Sequence, residues 1–213
     1  GPEHLNSARV ILEKIGVKGT FYCLTSVALK YPEIVKNLLE RGHEIAYHAD
    51  VHVGFKAAKP QAQEDRIKAM KDQMRRIIGD KARLVTGFRA PTESYDPTTE
   101  VLLRKHGMQH HASDPNAHED RLPFFSKAEP QLSSEQALVV LPRTQYDDVS
   151  FRRLNFSMAN VDDSLAHDLD WVEKGGAFGL LSVHTQNYVD GGLMLQAMPK
   201  YLARVAALKD RLW

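Results

Sequence analysis

Residues 16–48 read GVKGTFYCLTSVALKYPEIVKNLLERGHEIAYH, and this stretch contains one complete unit of the fold. The apolar runs at 20–24 and 44–47 predict two buried strands. Between them, Pro32 suits the first turn of a helix and Gly42 suits its end. A strand, a helix and a second strand in this order predict two parallel strands joined by a helical crossover.

The same alternation continues on both sides of this unit. The further elements predicted from apolar periodicity are helices at 7–15, 61–78, 97–105, 165–174 and 194–212, and strands at 84–88, 108–111, 137–141 and 179–183. The polar stretch 113–134 is expected to be a loop. Repeated units of this kind predict an α/β fold with a parallel sheet, open or closed into a barrel. In such folds the chemistry takes place at the carboxyl ends of the strands.

The composition limits the classes of protein to which the chain can belong. Its 213 residues fit one domain, 1–213, and 28 basic against 27 acidic residues leave no basic excess of the kind that nucleic-acid binders show. No apolar run reaches the length of a membrane span. Cys23 is the only cysteine, which excludes a disulfide framework and a cysteine-rich zinc module. Cytosol and periplasm both stay open, and of the two we expect an extracytoplasmic location in the periplasm or cell envelope.

His48 and His52 form a His-x-x-x-His pair directly after the predicted strand 44–47. Imidazole is a ligand suited to zinc and similar ions, so two rings aimed inward predict a shared metal. Two surface histidines in a loop are the alternative, because short spacings of this kind also arise by chance. An HExxH metalloprotease is excluded, since Ala49 stands where that motif has its glutamate base.

Two further side chains follow predicted strands at their carboxyl ends. Arg89 comes directly after the strand that ends at Phe88, where its fixed fork of donors is suited to orienting a carboxylate. The alternative is a surface arginine in a turn set by Pro91. His184 follows the strand 179–183, which suits a general acid near neutral pH, with a histidine that caps the backbone as the alternative.

In their order along the chain, these segments resemble the NodB-type polysaccharide deacetylases (carbohydrate esterase family 4-like). Residues 16–22, GVKGTFY, resemble the family's GVKATFF stretch, and 42–52, GHEIAYHADVH, resemble its second motif. Arg89-Ala90-Pro91 matches the Arg-x-Pro motif, and Leu181-Ser182-Val183-His184 matches the closing Leu-x-x-His motif. Because four matches follow the family order, the functional alternatives are favoured over the structural ones. The run 87–97 is similar to the allantoinase-like and peptidoglycan deacetylase-like branch.

The resemblance implies a fold and a set of roles. The fold is a distorted (β/α) barrel of the NodB deacetylase type. His48 and His52 would bind a divalent metal, with Zn2+ the expected ion. Arg89 would orient the catalytic aspartate, and His184 would protonate the departing amine.

The resemblance also implies a substrate. That substrate is an N-acetylated glycan of the N-acetylglucosamine type, from which acetate is released. Pro91, in the third motif, and Tyr95 are the candidate substrate-binding residues. Tyr95 is suited to stacking on a sugar ring, although ordinary packing explains it equally well.

The family's first motif, an aspartate pair on the first strand, supplies the general base and the third metal ligand. No match stands at the expected place, so we expect 1–213 to be an N-terminally incomplete domain that lacks this strand. Asp162-Asp163 lie too late in the chain for the role, and Asp50 reaches a metal only if its loop departs from the family shape. We therefore expect residues 1–213 by themselves to bind metal weakly and to hydrolyse little.

Two other functions stay open at this stage. One is a catalytically inactive NodB-like domain that binds sugar or acts as a scaffold. The other is a hydrolase of a small-molecule amide, allantoinase-like or deformylase-like, built on the same barrel.

A second histidine-rich stretch contains His106, His110, His111 and His118. Its spacing fits no standard zinc pattern, so we expect a solvated helix end followed by a loop.

Overall fold

The computed structural model describes residues 2–114, 122–175, 178–185, 192–208 and 210–211. The chain divides into two compact units. The sheet unit comprises residues 20–115 and 123–142, and the helical unit comprises residues 1–19, 116–122 and 143–213. His48, His52 and Arg89 belong to the sheet unit, whereas His184 belongs to the helical unit.

Eight α-helices, numbered in chain order, lie within the described residues. They are α1 (Pro2–Ile15), α2 (Thr25–Ala28), α3 (Pro32–Glu40), α4 (Pro60–Ile78), α5 (Pro97–Lys105), α6 (Asp148–Arg153), α7 (Met158–Gly175) and α8 (Leu193–Ala207). Gly79–Leu84 and Pro91–Glu93 form short 3-10 helices. None of the helices in the described part of the chain is long and apolar enough to cross a membrane.

The sheet unit contains one six-stranded sheet. Its strands are β1 (Thr20–Cys23), β2 (Glu44–Tyr47), β3 (Gly87–Phe88), β4 (His110–Asp114), β5 (Phe124–Phe125) and β6 (Val139–Pro142). The strand order is β1-β2-β3-β4-β6-β5, with β5 antiparallel to β6 and all other pairs parallel. Because parallel strands end at the same edge, the residues that follow β2 and β3 emerge on the same side. The predicted α/β fold with a parallel sheet is therefore confirmed.

Local sequence explains why the helices begin where they do and which face they bury. α5 begins at Pro97 because the Asp96 carboxylate accepts a hydrogen bond of 2.9 Å from the backbone N–H of Thr99. α4 buries Ile67, Met70 and further residues of one face completely, as expected of an amphipathic helix that packs on a core.

The helical unit has its own hydrophobic core. Its buried residues are Ala8, Phe151, Val161, Leu165, Met194, Ala197, Met198 and Leu202. They come from α1, α6, α7 and α8, and a fully buried aliphatic or aromatic side chain contributes about 1.5–3 kcal/mol. α6 was not predicted, and α7 begins several residues before the predicted helix 165–174.

Two predictions in the sheet unit are wrong in part. The predicted strand 84–88 is reduced to β3, because the chain up to Leu84 forms a 3-10 helix instead. The predicted loop 113–134 contains β5, whose pairing with β6 no local periodicity indicates.

The predicted strand 179–183 is also wrong within the described residues 178–185. The backbone N–H of Thr144 donates to the carbonyl of Leu180 at 2.9 Å, without a strand ladder. Leu181 and Val183 pack against the helical core. Their burial therefore comes from helices, and an apolar run alone does not distinguish the two environments.

Candidate active site

His48 lies directly after β2, and both its backbone and its ring form hydrogen bonds. Its backbone N–H donates to the carbonyl of Cys23 at 2.9 Å, which anchors the residue at the end of β1. Its ring Nδ1 contacts the carbonyl oxygen of Arg89 at 2.8 Å. Because a carbonyl only accepts, Nδ1 carries the proton and Nε2 keeps a lone pair. This is the tautomer in which a second partner orients a metal-binding histidine.

The ring of His52 lies beside that of His48. Their centroids are 5.2 Å apart and their planes are inclined by 62°. Two imidazoles on one zinc ion, with bonds of about 2.0–2.1 Å and a tetrahedral angle, place their centroids about 5 Å apart. The rings therefore come together as the spacing predicts, and their metal role stays a prediction. Among the residues that the structure describes, no group of three histidine, cysteine or acidic side chains is arranged to hold a metal.

Arg66 of α4 organises the loop that carries His52. Its Nε donates to the Asp50 carboxylate at 2.9 Å. Its terminal nitrogens donate to the carbonyls of Gly54, Val51 and Val53 at 2.9, 3.1 and 2.8 Å. The pairing makes Asp50 an anchor of this loop. Arg66 had no signal in the sequence, because its partners lie more than one helical turn away along the chain.

If His48 and His52 bind zinc as predicted, we expect Arg66→Ala to weaken that binding by about 10- to 100-fold, the usual cost of losing a partner that orients a metal site. The loop would lose four hydrogen bonds and His52 its fixed position. Zinc titration calorimetry would measure the change, with Arg76→Ala, an exposed arginine of the same helix, as the control. Unchanged affinity in Arg66→Ala would show that His52 does not need this anchor.

Gly54 allows the same loop to pack closely on Ser94. A Cβ atom at Gly54 would lie 2.5 Å from both Cβ and Oγ of Ser94, closer than real side chains approach. We expect Gly54→Ala to lower the free energy of unfolding by about 1–3 kcal/mol through overpacking. Chemical denaturation would measure it. The double variant Gly54→Ala/Ser94→Gly removes both clashing atoms and should recover most of the loss, and failure to recover would contradict this account.

Arg89 is buried, with 8% of its surface exposed, and its cation is paired with a carboxylate. Its backbone N–H donates to the carbonyl of Tyr47 at 2.8 Å. Its guanidinium donates to the carbonyl of Ala112 and to the Glu93 carboxylate, the latter at 2.7 Å. Glu93 has a positive φ of 55°, a conformation that non-glycine residues adopt only at a cost. The arginine is thus held rigidly at the end of β3, with Glu93 as its acidic partner in this chain.

Pro91 and Tyr95 follow Arg89 in the same loop. Pro91 is buried in the 3-10 helix. The Tyr95 ring meets the edge of the His111 ring, with centroids 4.8 Å apart. Burial, together with the negative charges of Asp114 and Glu100, raises the pKa of Tyr95. Its hydroxyl therefore stays protonated and able to donate, and sugar stacking by Tyr95 stays a prediction.

The second histidine-rich stretch is not the solvated segment that was expected. His111 is completely buried on β4, where Nε2 donates to Glu100 at 3.1 Å and Nδ1 accepts from the backbone N–H of Ser113 at 3.3 Å. His106 contacts the Glu64 carboxylate at 2.9 Å. Both rings contact carboxylates, and His111 also accepts a hydrogen bond from a backbone N–H. The prediction that these histidines are exposed to solvent is therefore wrong. His118 lies outside the described residues.

His184, in the helical unit, is bound twice by one carboxylate. Its backbone N–H donates to Oδ2 of Asp148 at 2.7 Å, and its ring Nδ1 donates to Oδ1 at 2.8 Å. The Asp148 side chain has no exposed surface, whereas 38% of the His184 side chain is exposed. The ring is thus fixed with a proton on Nδ1 and with Nε2 as its remaining nitrogen, an arrangement suited to proton transfer.

Asp148 is held in place by the start of α6. Its neighbour Asp147 accepts hydrogen bonds from the Ser150 N–H and hydroxyl at 2.7 and 2.6 Å. Burial would raise the pKa of Asp147, but these hydrogen bonds and the charge of Arg143 hold it below its usual value. The partnership of Asp148 with His184 was not predicted, although an acidic pair with a serine two residues further on is a recognisable helix start. That His184 shares a cavity with Arg89 stays a prediction.

Solved structures share this fold. A polysaccharide deacetylase-type protein from Mycobacterium smegmatis has a TM-score of 0.79 at 21% identity, over 99% of this chain and 72% of that one. The PuuE allantoinase has a TM-score of 0.78 at 16% identity, over 99% and 68%. A CE4 family pseudoenzyme from Bacillus anthracis has a TM-score of 0.64 at 13% identity, over 99% and 57%. At these identities the likeness shows the fold alone.

Sequence comparison identifies the family. No curated protein matches the chain significantly in sequence. The polysaccharide deacetylase family, however, matches residues 1–111, which is more than half of the 213 residues and includes His48, His52, Arg89 and Pro91. The chain therefore belongs to the polysaccharide deacetylase family.

Proposed function

We propose that this deacetylase hydrolyses the N-acetyl groups of an N-acetylglucosamine-type polysaccharide and releases acetate, with a zinc ion held by His48 and His52. Family membership supports the reaction class. The single observation that carries the metal is the pair of imidazole rings with centroids 5.2 Å apart. The hydrogen bond from Nδ1 of His48 to the Arg89 carbonyl fits the same role, because in the neutral ring it places the lone pair on Nε2.

When bound, zinc supplies Lewis acidity to the acetamide carbonyl and to the attacking water. The protein's own residues fix the geometry around it. His48 is anchored to the ends of β1 and β3, and the His52 loop is anchored by Arg66. Arg89 holds the segment 89–93, which contains the Arg-x-Pro motif, in place through its ion pair with Glu93.

In the proposed reaction, His184 protonates the departing amine. Water adds to the acetyl carbon and gives one proton to the general base, for which the resemblance implies the aspartate of the first motif. The amide C–N bond then breaks, and the amine nitrogen takes a proton from Nε2 of His184 in its imidazolium form. Asp148 keeps the opposite nitrogen, Nδ1, protonated and stabilises the ring when it is charged. Asp148 is thus a positioning residue for the acid.

We expect Asp148→Asn to lower kcat by about 10- to 100-fold, because the amide no longer fixes the ring and its charge as the carboxylate does. The alkaline limb of the pH–rate profile should move to lower pH, since the protonated imidazole loses its negative partner. Rates of acetate release between acidic and alkaline pH would measure both effects. A lower kcat at every pH, with no shift of the pH–rate profile, would show that Asp148 has only a structural role.

The test of the proposed function is acetate release from N-acetylglucosamine oligomers with added zinc, against the same assay with a chelator. The assay uses a version extended upstream by the first motif that the resemblance implies, because residues 1–213 by themselves are expected to bind zinc weakly and to hydrolyse little. The same version serves for every zinc and activity measurement on the variants. Zinc-dependent release supports the proposal. Binding of the oligomers by this version without release, at any metal concentration, would identify a sugar-binding domain instead. Release of product from a small cyclic amide or a formamide, but not from the oligomers, would identify the small-molecule hydrolase.

A further inference from the structure

A cavity of about 450 Å³ lies in the sheet unit, between the last turns of α4 and the 3-10 helix Gly79–Leu84. Tyr47, Lys71, Arg75, Asp80 and Arg83 line it. None of the proposed catalytic or metal-binding side chains lines this cavity. Its volume falls within the range of about 300–1,000 Å³ that is typical of small-molecule sites.

The cavity is lined by three cations and one carboxylate, Asp80. Lys71 uses one donor on the carbonyl of His106 and keeps two others. Arg75 reaches Asp72 at 3.4 Å, at the limit of an ion pair between two exposed groups. Arg83 is exposed, with no hydrogen-bond or ionic partner among the residues that the structure describes. The lining therefore favours an anionic ligand.

Tyr47 gives an independent indication of a ligand. Its side chain is completely buried, and its hydroxyl has no hydrogen-bond partner in the described structure. Burying a polar group without a partner costs about 1–3 kcal/mol, which phenylalanine at this position would avoid. Tyr47 and Arg75 line the same cavity, so a ligand held by the cations has the Tyr47 hydroxyl as a further donor.

We propose that this cavity binds the phosphate monoester of a small molecule. The phosphoryl oxygens accept hydrogen bonds from Arg75, Arg83 and Lys71 at the rim and from the Tyr47 hydroxyl inside. Guanidinium groups match a phosphate in geometry as well as in charge. A monosaccharide phosphate has the size that the volume requires, whereas inorganic phosphate fills only part of it.

Calorimetric titration of the whole chain with glucose 6-phosphate, glucose and inorganic phosphate, at matched ionic strength, tests the proposal. We expect glucose 6-phosphate to bind more tightly than inorganic phosphate, and glucose not to bind. Arg83→Ala should weaken glucose 6-phosphate about tenfold. Arg76→Ala removes an exposed arginine of α4 that does not line the cavity, and it should leave the affinity within about twofold.

Tyr47→Phe distinguishes binding inside the cavity from attraction of the phosphate by the lining cations alone. Without ligand this variant should raise Tm, because an unpaired buried hydroxyl is removed, and with ligand it should weaken binding several-fold. No binding of either phosphate would overturn the proposal, as would equal losses in Arg83→Ala and Arg76→Ala. Inorganic phosphate binding as tightly as glucose 6-phosphate would overturn the monoester. None of these readouts depends on deacetylase activity.

Discussion

His48→Ala is expected to weaken zinc binding by more than about 100-fold and to reduce acetate release to background. The variant loses the metal ligand itself, whereas loss of a partner that only orients a ligand costs about 10- to 100-fold. It also removes the hydrogen bond between Nδ1 and the Arg89 carbonyl, which links β2 to the third motif. Zinc titration calorimetry and acetate release measure the two effects on the same protein.

The matched control for His48 is His167→Ala. His167 is exposed on α7, where its ring contacts Trp171, and it has no place in the proposed site. This control should retain zinc affinity and acetate release. Equal zinc affinity in His48→Ala and His167→Ala would remove the metal role from the pair.

His184→Ala is expected to lower kcat by about 10²–10⁴, the usual contribution of a positioned general acid. Zinc affinity should stay unchanged, because this residue acts on the leaving amine and not on the metal. The side chain is 38% exposed, so its loss should cost little stability. The buried carboxylate of Asp148 keeps its hydrogen bond from the backbone N–H of residue 184 in this variant.

For His184→Ala, the loss of kcat is compared with the loss of zinc affinity. A loss of activity without a loss of zinc assigns His184 to proton transfer. A parallel loss of both in His184→Ala would make it a metal-site residue and contradict the proposed acid. A substrate with a better leaving group than the amine should recover part of the rate, because it needs less protonation.

Several elements could be predicted closely, because their signals are local. The strand 44–47 and the helix 97–105 have the predicted bounds in the structure. Asp96 caps the helix and Pro97 opens it, so both signals lie within one turn of the boundary. The order of the motifs likewise predicted the polysaccharide deacetylase family.

Other elements could not be predicted, because their partners lie elsewhere in the chain. The run 179–183 has the composition of a buried strand, yet its apolar side chains pack on helices. β5 forms from an exposed pair of phenylalanines because β6 offers its backbone groups. His111 was predicted to be exposed to solvent, although it is buried on β4 and forms a hydrogen bond with Glu100. Apolar periodicity indicates that a side chain is buried, but it does not indicate which element packs against it.

The candidate site divides in the same way. The sequence determined which residue types stand at the strand ends, including His48, His52, Arg89 and the histidine at 184. The partner of Arg89 is Glu93, four residues along the same turn. The partner of His184 is Asp148, 36 residues away, and this pair depends on tertiary packing. Sequence periodicity describes neighbours along one element, whereas a hydrogen bond between distant residues exists only when packing brings two elements together. The chemistry of each site residue depends on that partner, because the partner sets its tautomer and orientation.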